Sequence, residues 1–333
     1  MPREIQDAVV VITGASSGIG KATALAFGRR GARVVLAARR EDALEQTARE
    51  VGRLGGHALV VPTDVTDDEQ MRALATRAVE VFGRVDVWVN NAAVTSFGLV
   101  EDTPSEVFER ILDVNTMGYV RGAKAALPLF RVQGSGVLIF VDGDEAGAVR
   151  PYAAPYVMSK AAVRSFAECL RMELELLGQV DIHVCTIHPG SVDTPLSQHA
   201  ANYSGRAPQA MMPAYPAEQV AQAVLRLARR PRREVWVGRG VRPSTLRRSL
   251  APRAYRRRAA HGIEERQLQD APAPTSDGNL FHPLPEGTGV SGGWDHTNGS
   301  GARRALIGAA LALPAGLLIW SRRADLRRAL QRR

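Results

Sequence analysis

Val9-Val10-Val11-Ile12-Thr13-Gly14-Ala15-Ser16-Ser17-Gly18-Ile19-Gly20 is the stretch that decides how this chain folds. Its first four residues are a continuous apolar run, the pattern of a strand buried on both faces. Gly14, Gly18 and Gly20 then permit a tight turn and close backbone approach. Residues 19–30 read as a helix, with Gly31 placed to cap its end. A helix opening on such a loop offers unpaired N–H groups and a positive dipole end to an anion. Gly14, Ser16, Ser17, Gly18, Ile19 and Gly20 are therefore read as a phosphate cradle. The spacing is G-x-x-x-G-x-G rather than G-x-G-x-x-G, and a plain strand-to-helix turn is the alternative that the loop alone leaves open.

Strand and helix keep alternating outward from this stretch. Strands are expected over 33–37, 58–61, 85–89, 136–141, 181–187 and 234–237. Helices are expected over 41–54, 67–82, 116–132, 155–177 and 217–229. Thr103-Pro104-Ser105-Glu106 has the form of a capping box with Pro at the first helical position, so another helix starts there. Repeated βαβ units of this length imply an α/β, Rossmann-type doubly wound parallel sheet with helices on both faces. This pattern fills residues 1–240. Residues 241–302 are first basic and then rich in Pro, Gly, Asp, Asn and Thr, as in an irregular linker or a surface-hugging tail. Residues 303–333 carry an uncharged stretch, 305–320, between arginine pairs.

Charge follows the same division. Residues 1–228 hold 22 Lys and Arg against 26 Asp and Glu, whereas residues 229–333 hold 21 against 8. The basic end suggests an anionic partner surface. No zinc finger, basic heptad or aromatic RNA-binding pattern accompanies it, so a membrane is expected and nucleic acid is not. Two cysteines, Cys169 and Cys185, exclude a disulfide-built scaffold, and the seven histidines show no metal-binding spacing, so no metal is expected. The short apolar run near the N-terminus does not resemble a signal peptide, which places the folded part in the cytoplasm. Arg outnumbers Lys 40 to 3. Lys21, Lys124 and Lys160 therefore stand out as places where an ammonium is needed.

Further motifs follow in order: Asp64-Val65, Asn90-Asn91-Ala92, Asn115, Tyr156-x-x-x-Lys160, and Pro189-Gly190 with Thr194. Together with the loop at 13–20, this set resembles the short-chain dehydrogenase/reductase family, and the resemblance covers residues 8 to about 240. It implies a nicotinamide dinucleotide cofactor. By that resemblance Asp64 and Val65 touch the adenine, Asn91 and Ala92 line the cofactor, and Pro189, Gly190 and Thr194 hold the nicotinamide. Ala93 stands where the family has Gly.

The end of the second strand distinguishes the two nicotinamide cofactors. An acid there accepts from a ribose 2′-hydroxyl, and Arg accommodates a 2′-phosphate. This chain reads Ala37-Ala38-Arg39-Arg40, with no acid before Glu41. Arg39 is the expected phosphate partner and NADP(H) the expected cofactor. Both arginines standing solvated at a helix start is the alternative.

Tyr156 and Lys160 lie at i and i+4, on one face of one helix. A free Tyr, with a pKa near ~10, is a poor base at neutral pH, and a nearby ammonium favours its phenolate. Tyr156 is thus expected as general acid/base and Lys160 as its electrostatic partner. By family analogy Lys160 also binds the nicotinamide ribose, and Asn115 fixes a helix kink and a proton-relay water. Alone, Asn115 reads as a helix cap.

One family feature is missing. The Ser that hydrogen-bonds the substrate carbonyl has no counterpart in Val141-Asp142-Gly143-Asp144-Glu145-Ala146-Gly147. Aligning the Ala-Gly pair puts Asp144 at that place. Counting back from Tyr156 puts Gly143 there. An ionised Asp only accepts hydrogen bonds, whereas a protonated, buried one can donate to a carbonyl, as in the ketosteroid isomerase example. Asp144 could equally pair with Lys160 or point into water.

The expected activity is therefore an NADP(H)-dependent interconversion of an alcohol and a carbonyl. The alternative is a catalytically impaired NADP(H)-binding homologue acting as sensor or scaffold. Met211, Met212, Tyr203, Tyr215 and His199 lie where the family carries a flap over the substrate, and their mixture suggests an apolar or bulky substrate, with a packed surface loop as the alternative. The resemblance also implies a homo-oligomer built through the helices at 104–132 and 155–177. Residues 305–320 have no polar face and, with their arginine flanks, suggest attachment to an anionic membrane surface as a shallow, hairpin-like or in-plane insertion; a short true span and a helix buried on the sheet domain are the alternatives.

Overall fold

Seven strands form one parallel sheet: β1 (Val9–Thr13), β2 (Arg33–Ala38), β3 (His57–Pro62), β4 (Val87–Asn90), β5 (Gly136–Val141), β6 (Ile182–Pro189) and β7 (Glu234–Val237). Their order is β7-β6-β5-β4-β1-β2-β3. The order reverses direction between β1 and β4, and in open α/β sheets ligands bind outside the carboxyl ends of the strands at such a point. The computed structural model describes residues 4–143, 149–238, 260, 262 and 264–294.

Alternate residues of β1 show why the sheet is covered on both sides. Val9 and Val11 belong to one apolar core, and Val10 and Ile12 to another. The first core is completed by helices α3 (Asp68–Phe82), α4 (Ser105–Leu112), α5 (Gly118–Gln133) and α6 (Ala154–Leu176), through Leu74, Ile111, Phe130 and Val163. The second is completed by α1 (Gly18–Gly28), α2 (Glu41–Arg53) and α7 (Ala217–Arg229), through Phe27, Leu44 and Val224. The doubly wound fold expected from the sequence is thus present, with element ends within a few residues of expectation.

Two local readings change. The capping box at Thr103 does not form: its hydroxyl donates to the carbonyl of Leu99 at 2.8 Å, and Pro104, not Thr103, precedes the first helical residue. The pairing with Leu99 draws the hydroxyl away from the helix N–H groups. Between α4 and α5 the chain makes a π-helical turn, Asp113–Met117, so the two helices run together through an under-wound joint.

The tail also differs from a linker. The compact unit extends to Gly293, well beyond residue 240, and residues 294–333 form a second unit of which Trp294 alone is described. Strand Leu268–Pro272 pairs antiparallel with Arg206–Pro208, and Leu280 is fully buried in the first core. The basic stretch 242–258 and the apolar stretch 305–320 lie outside the described residues. Among the described residues no helix is long and apolar enough to cross a membrane.

Candidate active site and dinucleotide cleft

The loop after β1 is shaped by what its glycines touch. A Cβ on Gly20 would lie 2.1 Å from the carbonyl oxygen of Gly14, and one on Gly14 would lie 2.8 Å from the Cα of Ala92. Gly14 and Gly18 also have positive φ, +67° and +52°, which L side chains rarely adopt. The loop therefore closes tightly against the segment after β4. Asn91 reinforces the closure: its side-chain amide donates to the carbonyls of Thr13 at 2.9 Å and Gly14 at 3.3 Å. On the other side, Thr194 lies against Gly18, since a Cβ there would sit 3.2 Å from the Thr194 side chain.

These elements enclose one cavity at the carboxyl ends of the strands. Gly14, Ser16, Ser17, Gly18, Ile19, Arg39, Asp64, Val65, Asn91, Ala92, Tyr156, Lys160, Pro189, Gly190 and Thr194 all line it. Gly20 shapes the loop from behind. The sequence scattered these residues over 180 positions, and the fold brings them together.

Lys160 sits at the floor. It is buried, and its ammonium donates to the carbonyl of Val141 at 2.9 Å and to the Tyr119 hydroxyl at 3.4 Å. It lies 5.8 Å from the centre of the Tyr156 ring. Burial lowers its pKa to about 8, against an opposing pull from the Asp142 carboxylate. The same burial, with Tyr156 and Asp142 nearby, pushes the Tyr119 phenol well above its usual range. Asp142 is itself buried and paired with His188 at 3.1 Å.

Asn115 lies in the π-turn and is completely buried. Its amide donates to the Val94 carbonyl at 2.9 Å and to the Ser159 hydroxyl at 3.0 Å, while its oxygen accepts from the Val94 N–H at 2.8 Å. It thus joins the β4 loop, the under-wound joint and α6. The helix-cap reading of Asn115 does not hold, because its side chain reaches across the fold rather than to its own helix.

The place of the missing Ser is visible in the geometry. A Cβ on Gly143 would lie 3.5 Å from the Tyr156 hydroxyl and 3.8 Å from Cγ of Lys160. Asp144 lies outside the described residues. Arg150, which the sequence reading passed over, lies 5.3 Å from the Tyr156 ring centre and lines the same cavity. Tyr156 is therefore flanked by two cations. No motif spacing announces Arg150, since it reaches the site from the loop ahead of α6.

At the far end Asp64 is paired with Arg110 at 3.2 Å and accepts from Thr66 at 2.8 Å. Burial alone would raise the Asp64 pKa, but the bonds from Thr66 and Arg110 outweigh it and hold the carboxyl below its usual range. Arg39 does not stand free for a ligand. Its guanidinium donates to the carbonyls of Asn279 at 2.6 Å, Phe281 at 3.1 Å and Leu280 at 3.3 Å. The sequence reading left these tail partners unseen. Of the other two lysines, Lys21 is buried and paired with Glu50 at 2.9 Å, and Lys124 is exposed.

Among the described residues no group of three or more His, Cys, Asp or Glu could hold a metal. The glycine loop, by contrast, opens α1 at the cavity wall, where a helix N-terminus offers N–H groups to an anion, and Arg39, Asp64, Asn91, Tyr156 and Lys160 line the same space, a set of groups suited to a nicotinamide dinucleotide.

Comparison with known proteins agrees with this geometry. The family model described as short chain dehydrogenase matches residues 8–204. The uncharacterized oxidoreductase YxnA of Bacillus subtilis is 34% identical over 96% of this chain and 91% of its own length. Dehydrogenase/reductase SDR family member 7B of Xenopus tropicalis is 32% identical over 80% of this chain and 89% of its own. An alcohol dehydrogenase from Thermococcus sibiricus, solved with 5-hydroxy-NADP, superposes with a TM-score of 0.60 at 29% identity, covering 69% of this chain and 95% of that one.

Proposed function

The chain belongs to the short-chain dehydrogenase/reductase family of oxidoreductases, and we propose that it interconverts an alcohol and a carbonyl on an apolar substrate with NADP(H). The carrying observation is that Tyr156 and the buried ammonium of Lys160 share one cavity with the glycine cradle. A bound nicotinamide supplies hydride chemistry. The loop from Gly14 to Gly20 would receive the pyrophosphate on backbone N–H groups other than those of Ala15 and Gly18, which donate to the carbonyls of Ala37 and Gly289, and Pro189 to Thr194 would hold the nicotinamide end. Tyr156 carries the proton to or from the substrate oxygen. Lys160 favours the phenolate and orients the ribose. Asn115 positions the β4 loop and α6 around them. Met211 and Ala210 contribute apolar surface to the cavity, which supports an apolar substrate.

The NADP(H) preference rests on Arg39 and Arg40 and on the absence of an acid at the end of β2. Carbonyl partners satisfy the Arg39 N–H groups without neutralising its charge, so a 2′-phosphate still gains from it. Calorimetric titration tests this: NADPH binds at least tenfold more tightly than NADH, and Arg39→Ala removes the difference. Equal affinities defeat the assignment.

Gly143 supports a second reading, a weakly catalytic dinucleotide-binding protein, because the described residue beside the Tyr156 hydroxyl is a glycine and carries no hydroxyl to hold a substrate carbonyl. A screen of NADPH consumption over aldehydes, ketones and quinones separates the two. Turnover that vanishes in Tyr156→Phe, with NADPH affinity nearly intact, supports the enzyme. We also propose a homo-oligomer through α5 and α6, whose exposed Val132, Met172 and Leu176 offer apolar surface.

A further inference from the structure

Residues 276–293 lie across the mouth of the dinucleotide cleft. They cross the sheet's carboxyl edge from the β3 side to the segment after β6, and each step is tied down. Arg110 donates to the Leu280 carbonyl at 2.9 Å, beside Asp64. Arg39 holds the carbonyls of Asn279, Leu280 and Phe281. Arg40 holds those of Leu284 at 2.6 Å and Glu286 at 2.8 Å. The Gly18 N–H, at the start of α1, donates to the Gly289 carbonyl at 2.9 Å. Asp193 then accepts from the Gly292 N–H at 2.9 Å and from the Ser291 hydroxyl.

This segment roofs the cavity without filling it. Asn279, Pro283 and Leu284 line the same space as Gly14, Arg39 and Asn91. The Asn279 side-chain oxygen is buried and has no hydrogen-bond partner. A buried acceptor left unpaired is costly, and a turn of the Asn279 side chain, which lines the cavity, would bring it to a donor in the filled site. Arg39 marks the end of β2, where the adenosine ribose of a dinucleotide is held. In NADP(H) the 2′-oxygen of that ribose carries the phosphate, so its 3′-hydroxyl is the donor.

We infer that residues 276–293 form the roof of the adenosine half of the cofactor site, with Asn279 accepting a hydrogen bond from an adenosine ribose hydroxyl. This rests on the nicotinamide-dependent reading above. The roof has a kinetic consequence: with its carbonyls clasped by Arg39 and Arg40, the cofactor leaves only when the segment lifts. Arg40 is the hinge of that clasp, since it donates to the carbonyls of Leu284, Pro285 and Glu286, while Nε2 of His199 lies 3.1 Å from the Glu286 carbonyl.

The test uses the full chain with NADPH. Calorimetry gives the affinity, stopped-flow fluorescence with a displacing excess of NADP gives the release rate, and circular dichroism confirms that each variant is folded. Asn279→Ala weakens NADPH about three- to tenfold, the loss of one hydrogen bond. Arg40→Ala speeds NADPH release about tenfold. Chymotrypsin cleavage after Phe281, which is partly exposed, slows when NADPH is bound. Wild-type affinity and release in both folded variants, or cleavage indifferent to NADPH, overturn the roof while leaving the nicotinamide reading intact. A wild-type chain that binds neither NADPH nor NADH overturns both.

Discussion

Replacing Lys160 by Met should abolish turnover and yet make the protein more stable. The reason is the cost of keeping an ammonium in the floor of the cavity. Lys160 has a folded-state pKa of about 8, against an ordinary value of 10.5 in the unfolded chain. At pH 7 the ionised side chain is then about 3 kcal/mol less favourable in the folded state than a neutral one, at ~1.36 kcal/mol per pKa unit. Methionine has similar length and no charge to desolvate. It leaves the Val141 carbonyl with the Tyr119 hydroxyl, which already donates to it at 2.7 Å, and it leaves Asp142 with His188. Replacing a buried charge by a packed apolar group is often stabilising by ~1–4 kcal/mol. The expected gain at pH 7 is about 2–3 kcal/mol, or roughly 5 °C in Tm for a unit of this size.

The pH dependence makes the argument specific. Between pH 8 and 10.5 the unfolded chain binds more protons than the folded one, so the wild type gains stability as pH rises through that window. The cost is complete below pH 8 and relieved above 10.5. The advantage of Lys160→Met should therefore shrink to about 1 kcal/mol at pH 9.5. Urea unfolding of both proteins without cofactor at pH 7 and pH 9.5 measures it. A variant less stable than wild type at pH 7, or a gap that does not narrow with pH, refutes the reasoning.

Gly143→Ser places a hydroxyl beside the Tyr156 oxygen and should raise kcat at least tenfold on the best substrate, the scale of one well-placed donor; an unchanged or lower kcat shows that the carbonyl is held otherwise. Leu280→Ala should cost about 2–5 kcal/mol in urea unfolding, as for any Leu in the core, because the tail is packed there. Gly20→Ala should fail to bind NADPH or fail to fold, since its Cβ would meet the Gly14 carbonyl at 2.1 Å. Membrane attachment through residues 305–320 is tested by fractionating cells that express the full chain or a chain ending at Ser300: only the full chain should sediment with membranes, and equal solubility of both refutes attachment.

The legible part of this protein was the part whose information is local. An apolar run of four residues, a glycine loop and a helix period suffice for a strand, a turn and a helix, and repeating them implies a parallel sheet. Tyr156 and Lys160 were legible because helical geometry alone puts i and i+4 on one face. Asn115 was visible as a position, but its work in a π-turn, joining Val94 to Ser159, needed three distant segments placed in space. Aligning Ala146-Gly147 pointed to Asp144 and counting back from Tyr156 pointed to Gly143; of the two, Gly143 is described, and a Cβ on it would lie 3.5 Å from the Tyr156 hydroxyl. Arg150 was not legible, and the tail was legible as a linker or a surface-hugging segment but not in what it touches. Residues 276–293 have the composition of a loop, and what holds them is a row of backbone carbonyls, which every sequence possesses. Arg39, Arg40, Arg110 and the N–H of Gly18 select those carbonyls through position alone. A backbone acceptor leaves no mark in the residue code, so only the folded chain could place that roof over the cleft.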